Sequence, residues 1–401
     1  METITLLEMA HGGAAMGRDG SGRAVFVPYT LPGEKVKITS PDDKGWARPV
    51  TILKAAPERV KPPCPHFGSC GGCHFQHIDY PAQLRFKQAI VRDQLARVSK
   101  LGAINVRPVL PNPQPYHYRV ETSFSKTAEG QLGFWSPTTG RVIPIDHCLL
   151  LRPELQILFQ DIDIALDGLR KLTLRLGDDQ ALLVALEVDE VEPPTLDADF
   201  PVSVVMVLPD KTTANLIGDN YLIQQLKGRD FRVTAGCSFF ANPPAGELVI
   251  DTVLNYAALS GREHLLEADS GVGLLTAFLA ANAAQLSGLV QNPDAIADAM
   301  FNLADTDNVS LYQGTLEVVL PLLENKPDVM VLSLPAGLSP RASKAIQQQR
   351  PGRIIYLSDD LNALTRDGRQ LKQMGFRPVE IQPIDMLPQT FHIYTVSLWE
   401  L

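Results

Sequence analysis

Hydrophobic and polar positions alternate in four short runs at the start of the chain, ETITLLEM, RAVFVPY, EKVKITS and RPVTILKA, separated by the Gly- and Pro-rich stretches HGGAAMGRDGSG and LPGE. A period of two between turn residues predicts β-strands, and these runs are enough for a small barrel over residues 1–55. APERVKPP then reads as a linker into a cysteine-rich loop and a helix over residues 81–99, where Leu84, Val91, Leu95 and Val98 share one face. Strand-like runs such as LTLRLG, ALLVALEV and PVSVVMVLP follow, mixed with turns, so residues 56–235 are expected to form a central α+β domain.

From residue 236 to residue 401 the pattern becomes a regular alternation. The apolar runs HLLEAD, LSGLV, VSLYQ, DVMVLSL and RIIYLS suit buried parallel strands, and GLLTAFLAANAA, PDAIADAMFNLAD, TLEVVLPLLEN and SPRASKAIQQQ between them have helical spacing. FRPVEIQ and FHIYTVSLWE end the chain as two strands able to close the sheet. The prediction is a doubly wound, Rossmann-like α/β domain with its ligand site at the carboxyl ends of the strands.

Composition adds that this is an ordinary globular chain of 401 residues, 45% hydrophobic and 20% charged. METITLLEMAHGG lacks a basic region followed by a long apolar one, and LLTAFLAANAA falls well short of the ~20 residues that span a bilayer. No membrane association and a cytoplasmic location are expected. The net charge of -9 hides a split: residues 1–150 carry 18 basic and 12 acidic side chains, while the remainder carry 18 and 33. A polyanion is therefore drawn to the N-terminal third rather than to the whole surface.

Four of the five cysteines fall within residues 64–148. CPHFGSCGGC sets Cys64, Cys70 and Cys73 close together, and Cys148 follows in RVIPIDHC. With no secretory signal, a metal or cluster site is a better reading than a disulfide framework. Four thiolates suit a tetrahedral zinc or a 4Fe-4S cluster, and spacing alone does not choose between them. Cys237, alone in TAGCSFF, reads as a small apolar core residue.

These residues resemble the RNA uracil-C5 methyltransferases that carry an N-terminal TRAM domain and a 4Fe-4S cluster. HGGAAMGRDGSGRAVFVPYTLPGEKVKI looks like the TRAM domain, an OB-like RNA-binding barrel, and RVKPPCPHFGSCGGCHFQHIDYPAQLRFKQ like the cluster loop with its following helix. SFFANPPAGELVIDTVL, IIYLSDDLNALTRD and PIDMLPQTFHIYTV are similar to successive landmarks of the S-adenosylmethionine-dependent domain. The resemblance implies a 4Fe-4S cluster on Cys64, Cys70, Cys73 and Cys148. It also implies structured RNA, ribosomal or transfer, as the partner of residues 1–150, with no role for DNA.

In that family a cysteine thiolate adds to C6 of an unstacked uracil, C5 then attacks the methyl of S-adenosylmethionine, and a carboxylate removes the C5 proton. Here the nucleophile position of the SCN-type motif holds Asp359, followed by Asp360, and the carboxylate position of the HVE-type motif holds Tyr394, in His392-Ile393-Tyr394. A carboxylate is a much weaker nucleophile toward a conjugated carbon than a soft thiolate. A phenol, with a reference pKa of about 10, is a poor proton acceptor at neutral pH. Ser333 and Leu334 replace an aspartate and a proline of a DPPRAGL-like stretch whose arginine is missing, and Phe239-Phe240-Ala241-Asn242 lacks the glutamine of an FFQ-type motif.

The cofactor turn LLEADSGVG keeps Glu267, Gly271 and Gly273, but Val290 stands where an acidic residue would hold the ribose hydroxyls. Losing that charge-assisted hydrogen bond costs roughly 1.5–3 kcal/mol, so S-adenosylmethionine binding is expected to be weak or absent. The leading expectation is an RNA-binding iron-sulfur pseudoenzyme. The alternatives are an active S-adenosylmethionine-dependent RNA methyltransferase with altered chemistry and a cluster-based redox sensor.

Overall fold

The computed structural model describes residues 2–98, 101, 104–162, 166, 168–189, 200–209 and 212–401. Strands β1 (Glu2–Met9), β2 (Ala14–Arg18), β3 (Ala24–Pro28), β4 (Lys35–Ile38) and β5 (Pro49–Lys54) form one antiparallel sheet in the order β3-β2-β1-β4-β5. The alternating pattern of β4, exposed then buried, is the period-two signal made physical. Strand β2 lies inside the stretch expected to be turn, because its small residues pack between β1 and β3. A Cβ on Gly17 would stand 2.6 Å from the Thr5 carbonyl oxygen.

Helix α1 (Tyr80–Asp93) begins at an Asp79 cap and continues as a π-helical turn, Gln94–Val98. The expected last residue of this helix, Ser99, lies outside the described residues. Val91 and Leu95 are buried as expected, but so are Gln83 and Lys87. Apolar spacing understates this face, because its polar members have partners far along the chain. Strand β6 (Asn105–Val106) then pairs with the edge of the C-terminal sheet.

Strands β7 (Glu121–Lys126), β8 (Leu132–Ser136) and β9 (Arg141–Pro144), helix α2 (Pro153–Asp161), and strands β10 (Leu169–Leu176), β11 (Leu182–Val188), β12 (Ser203–Val207) and β13 (Thr213–Ile217) build the middle layer. Its sheet runs β13-β12-β11-β10-β7-β8-β9 around a core of Phe124, Leu155, Leu172 and Leu186. A hairpin, β14 (Tyr221–Leu226) and β15 (Arg229–Thr234), leads into α3 (Pro243–Ala257) and shares its core.

The C-terminal sheet follows the expected alternation. Strand β16 (His264–Ala268) leads to α4 (Leu274–Ala280), β17 (Gln285–Val290), α5 (Pro293–Asn302), β18 (Val309–Gln313) and α6 (Leu316–Val319). Next come β19 (Val329–Ser333), α7 (Pro340–Gln349), β20 (Arg353–Ser358), α8 (Leu361–Gln373), β21 (Arg377–Ile384) and β22 (Tyr394–Glu400). The order is β18-β17-β16-β19-β20-β22-β21-β6, with β16 to β20 parallel and β22 inserted antiparallel beside β20.

The helix expected over TLEVVLPLLEN is reduced to α6 and a short 3-10 turn, Leu320–Leu322. Pro321 there has no N–H to continue an α-helical ladder. One hydrophobic core joins Phe75, Ile78, Ile90 and Val91 to Met330, Tyr356 and Trp399, so the cysteine loop and α1 pack on the C-terminal sheet. Among the described residues no helix is long and apolar enough to cross a membrane.

Candidate functional site

The strand order reverses around β16, and the turn that follows it, Asp269 to Gly273, stands at the carboxyl edge of the sheet. Gly271 and Gly273 have φ of +54° and +84°, and Asp269 shares the left-handed region at +64°. A Cβ on Gly271 would meet nothing within 4 Å, so the backbone there faces open space; on Gly273 it would press on Leu303 at 2.9 Å. Glu267 points inward, accepting a 2.5 Å hydrogen bond from Thr276 Oγ1 on α4, and burial pushes its carboxyl up to about 7. Its local task is to pin the helix behind the turn. Val290 is buried at the end of β17 and offers no acceptor beyond its backbone, which takes the Gly314 N–H.

The loop after β20 and the start of β22 come together at this same edge. Ser358 pairs with Thr395 across the two strands, which places Asp359 and Tyr394 on adjoining backbone positions. Asp360 caps α8, its Oδ1 accepting the Asn362 N–H at 2.8 Å, while Ser358 Oγ accepts the Asp360 N–H at 3.2 Å. Asp359 remains exposed. Burial and the nearby Asp359 carboxylate raise the Tyr394 phenol above its ordinary value, so it stays protonated.

His11, from the turn between β1 and β2, joins Asp359, Asp360, Phe391 and His392 around a cleft of about 290 Å³. Burial lowers both His11 and His392, the carboxylates of Asp360 and Asp359 opposing it respectively. The histidines therefore stand neutral at neutral pH. Nothing at the level of sequence marked His11 as a neighbour of this loop.

The other landmarks serve structure. Asn242 is fully buried, caps α3 and donates to the Met386 carbonyl at 2.7 Å. Asp367, fully buried, accepts from Tyr356 Oη at 2.6 Å and from the Leu338 N–H at 2.9 Å. Ser333 and Leu334 end β19 and begin the turn that reaches this Asp367.

All four predicted cysteine ligands line one small cavity, together with Arg119, Phe134 and Ile145. None of them is in a disulfide. Burial pushes the Cys70 thiol up to about 11 and the Cys73 thiol up to about 12, so these sulfurs carry thiolate charge only beside a cation. Arg119 lines the cavity with its buried Nε unpartnered, and no sequence signal in HYRVE announces it. Cys237 is buried in the core beside Val249 and Val233, as expected.

The cysteine loop is tied directly to the approach to β22. The N–H groups of His74 and Phe75 both donate to the Gln389 carbonyl at 2.9 Å, Gln83 Nε2 donates to Gln389 Oε1 at 2.9 Å, and Tyr118 Oη donates to the Pro388 carbonyl at 3.0 Å. Deeper in, Lys87 Nζ reaches Asp385 Oδ1 at 2.5 Å with both side chains fully buried. The loop carrying His392 thus rests on the segment carrying Cys73.

Comparison with known proteins bears on the family and the fold. Residues 2–40 match the TRAM domain family. An uncharacterized RNA methyltransferase of Halalkalibacterium halodurans is 31% identical over 99% of this chain and 96% of its own length. Another, of Chlorobaculum tepidum, is 29% identical over 99% of this chain and 95% of its own. Among solved structures, the Pyrococcus abyssi tRNA (uracil-54, C5)-methyltransferase in complex with S-adenosyl-L-homocysteine has the same fold, with a TM-score of 0.75, 21% identity, and coverage of 99% of this chain and 100% of that one. With its TRAM segment and near full-length relatives, the chain belongs to the TRAM-containing RNA methyltransferase family.

Proposed function

We propose that this protein is an RNA-binding iron-sulfur member of its family that does not methylate uracil at C5. The observation that carries the reading is the pair Asp359 and Tyr394, held on adjoining positions at the carboxyl edge of the sheet. By resemblance these are the positions of the nucleophile and the base, and neither residue type performs its step. A carboxylate does not form the C6 adduct that makes C5 nucleophilic, and a protonated phenol does not take the C5 proton.

The cysteine cavity brings all four thiols to one place, and the family resemblance favours a 4Fe-4S cluster there over zinc. Cys64, Cys70, Cys73 and Cys148 would hold the cluster, whose iron keeps buried thiolates charged. Its contribution in this reading is to order the loop that carries His74 and Phe75 onto Gln389.

S-adenosylmethionine is retained as a weak ligand. The open backbone at Gly271 and the S-adenosyl-L-homocysteine complex of the Pyrococcus relative support a site at that turn. Val290 withholds the ribose contact and lowers affinity roughly ten- to a hundredfold. The same open turn favours a second reading, methyl transfer to a heteroatom of RNA that needs no covalent thiolate.

The test is transfer of labelled methyl to total RNA by the wild type and by an Asp359→Cys, Tyr394→Glu double variant. Label in 5-methyluridine from the wild type refutes the first reading, and label in another nucleoside establishes the second.

A further inference from the structure

A second, larger cleft of about 850 Å³ opens between the N-terminal sheet and the cysteine loop, within the range of ligand pockets. Tyr29, Trp46, Arg48, His74 and Phe391 line it. We propose that this cleft is a nucleobase site, which takes one unstacked base of single-stranded RNA beside the nucleotide presented at Asp359. The inference rests on the RNA-binding reading above and gives it a location.

Three observations carry it. First, the walls are those of a stacking platform. Trp46 is 43% exposed although it rests on Phe26 at 5.6 Å between centroids, and Phe391 stacks on His392 at 4.4 Å. Flat aromatic faces beside an arginine bind any base through its π-face.

Second, three polar groups around the cleft are unspent. Among the described residues the Trp46 indole N–H and the Arg48 guanidinium have no hydrogen-bond or ion-pair partner, and His74 Nδ1 is buried without one. Asp42 Oδ1 is engaged, accepting the N–H groups of Lys44 and Trp46 at 2.9 and 2.8 Å, which fixes the turn that presents the indole. Donors beside an aromatic wall suit the carbonyl edge of a base. The carboxylate of Asp42 argues against a phosphate in the same place.

Third, the cleft is continuous with the Asp359 loop. Phe391 lines both clefts, and the turn His11-Gly12-Gly13 spans them, His11 lining the cleft of Asp359 and the two glycines that of Trp46. Gly13 has φ of +84°, and a Cβ there would stand 2.9 Å from Phe391 Cβ, so any side chain would force the turn off its seat. The two clefts are therefore held in fixed register. An extended strand entering at Asp359 meets Trp46 with a neighbouring base. The excess of basic over acidic side chains in residues 1–150 favours such a strand on this face.

The experiment uses the full chain and a short single-stranded oligoribonucleotide carrying 5-iodouridine. The wild type is expected to bind it at low salt with quenching of tryptophan fluorescence, and ultraviolet cross-links are expected at Tyr29, Trp46 or Phe391. Trp46→Ala should weaken binding about fivefold or more, the loss of one base stack. Trp46→Phe should keep the affinity and lose the quenching, which separates stacking from misfolding. Cross-links confined to other surfaces, with Trp46→Phe still quenched, would overturn the site while RNA binding stands. No binding by the wild type at low salt would remove the RNA-binding reading and this inference together.

Discussion

Thr395 Oγ1 donates a 3.0 Å hydrogen bond to the Ser358 carbonyl, clamping the last residue of β20 to the strand that carries Tyr394. Each is one residue away from a member of the Asp359 and Tyr394 pair. The clamp fixes Asp359 against Tyr394: the backbone register belongs to the sheet, and the sheet is held by its core.

The loop after β20 starts a helix. Asp360→Ala should destabilise the protein by about 0.5–2 kcal/mol, the loss of a side-chain cap. Asp359→Ala, at an exposed position without a capping bond, should change stability little. Urea unfolding of both variants checks this; equal losses would contradict the assignment of Asp360 as the cap.

Lys87 and Asp385 are fully buried and joined at 2.5 Å although 298 positions apart in sequence. Asp385 also accepts from Tyr80 Oη at 2.8 Å. Removing one member, as in Lys87→Ala, leaves a buried charge unpaired and should cost about 3–5 kcal/mol. Lys87→Met with Asp385→Asn should cost less than the sum of the two single changes. Denaturant midpoints of the four proteins decide it.

Much of the fold was legible because buried parallel strands are short apolar runs, and β16, β17, β19 and β20 read as such. Strand β2 was not, because AAMGR is small, glycine-flanked and stabilised by both neighbours rather than by its own propensity. The buried face of α1 was only half legible, since Gln83 and Lys87 look like surface residues until Gln389 and Asp385 arrive from the other end of the chain. In the site, cysteine spacing grouped the four cysteines that line one cavity, and resemblance alone linked Asp359 to Tyr394. Arg119 and His11 carry no local pattern; only folding brings them to the cavity and to the cleft.

Glu267 should make stability depend on pH in an unusual direction. Its carboxyl is raised from 4.5 to about 7 in the folded protein. The stability this group contributes is therefore complete below about pH 4.5 and is lost as pH rises through about 7, because the unfolded chain gives up the proton first. Glu267→Gln keeps an acceptor for Thr276 and removes the titration. Relative to the wild type it should gain up to about 3 kcal/mol above pH 7 and little at pH 4. Thermal unfolding across that range checks the sign, and a constant difference would contradict it.

The cysteine cavity gives a compositional prediction. Anaerobically purified protein should contain iron and acid-labile sulfide, and Cys73→Ser or Cys148→Ser should lose most of both. Cys237→Ser should retain them, since that thiol is packed in a separate core. Zinc in place of iron in the wild type would contradict the cluster assignment.

The most direct test is the nucleoside analysis of RNA incubated with the wild-type protein and labelled S-adenosylmethionine. With Asp359 and Tyr394 in place, no label is expected in 5-methyluridine, under conditions in which an active uracil-C5 methyltransferase labels the same RNA. Labelled 5-methyluridine formed by the wild type would contradict the account.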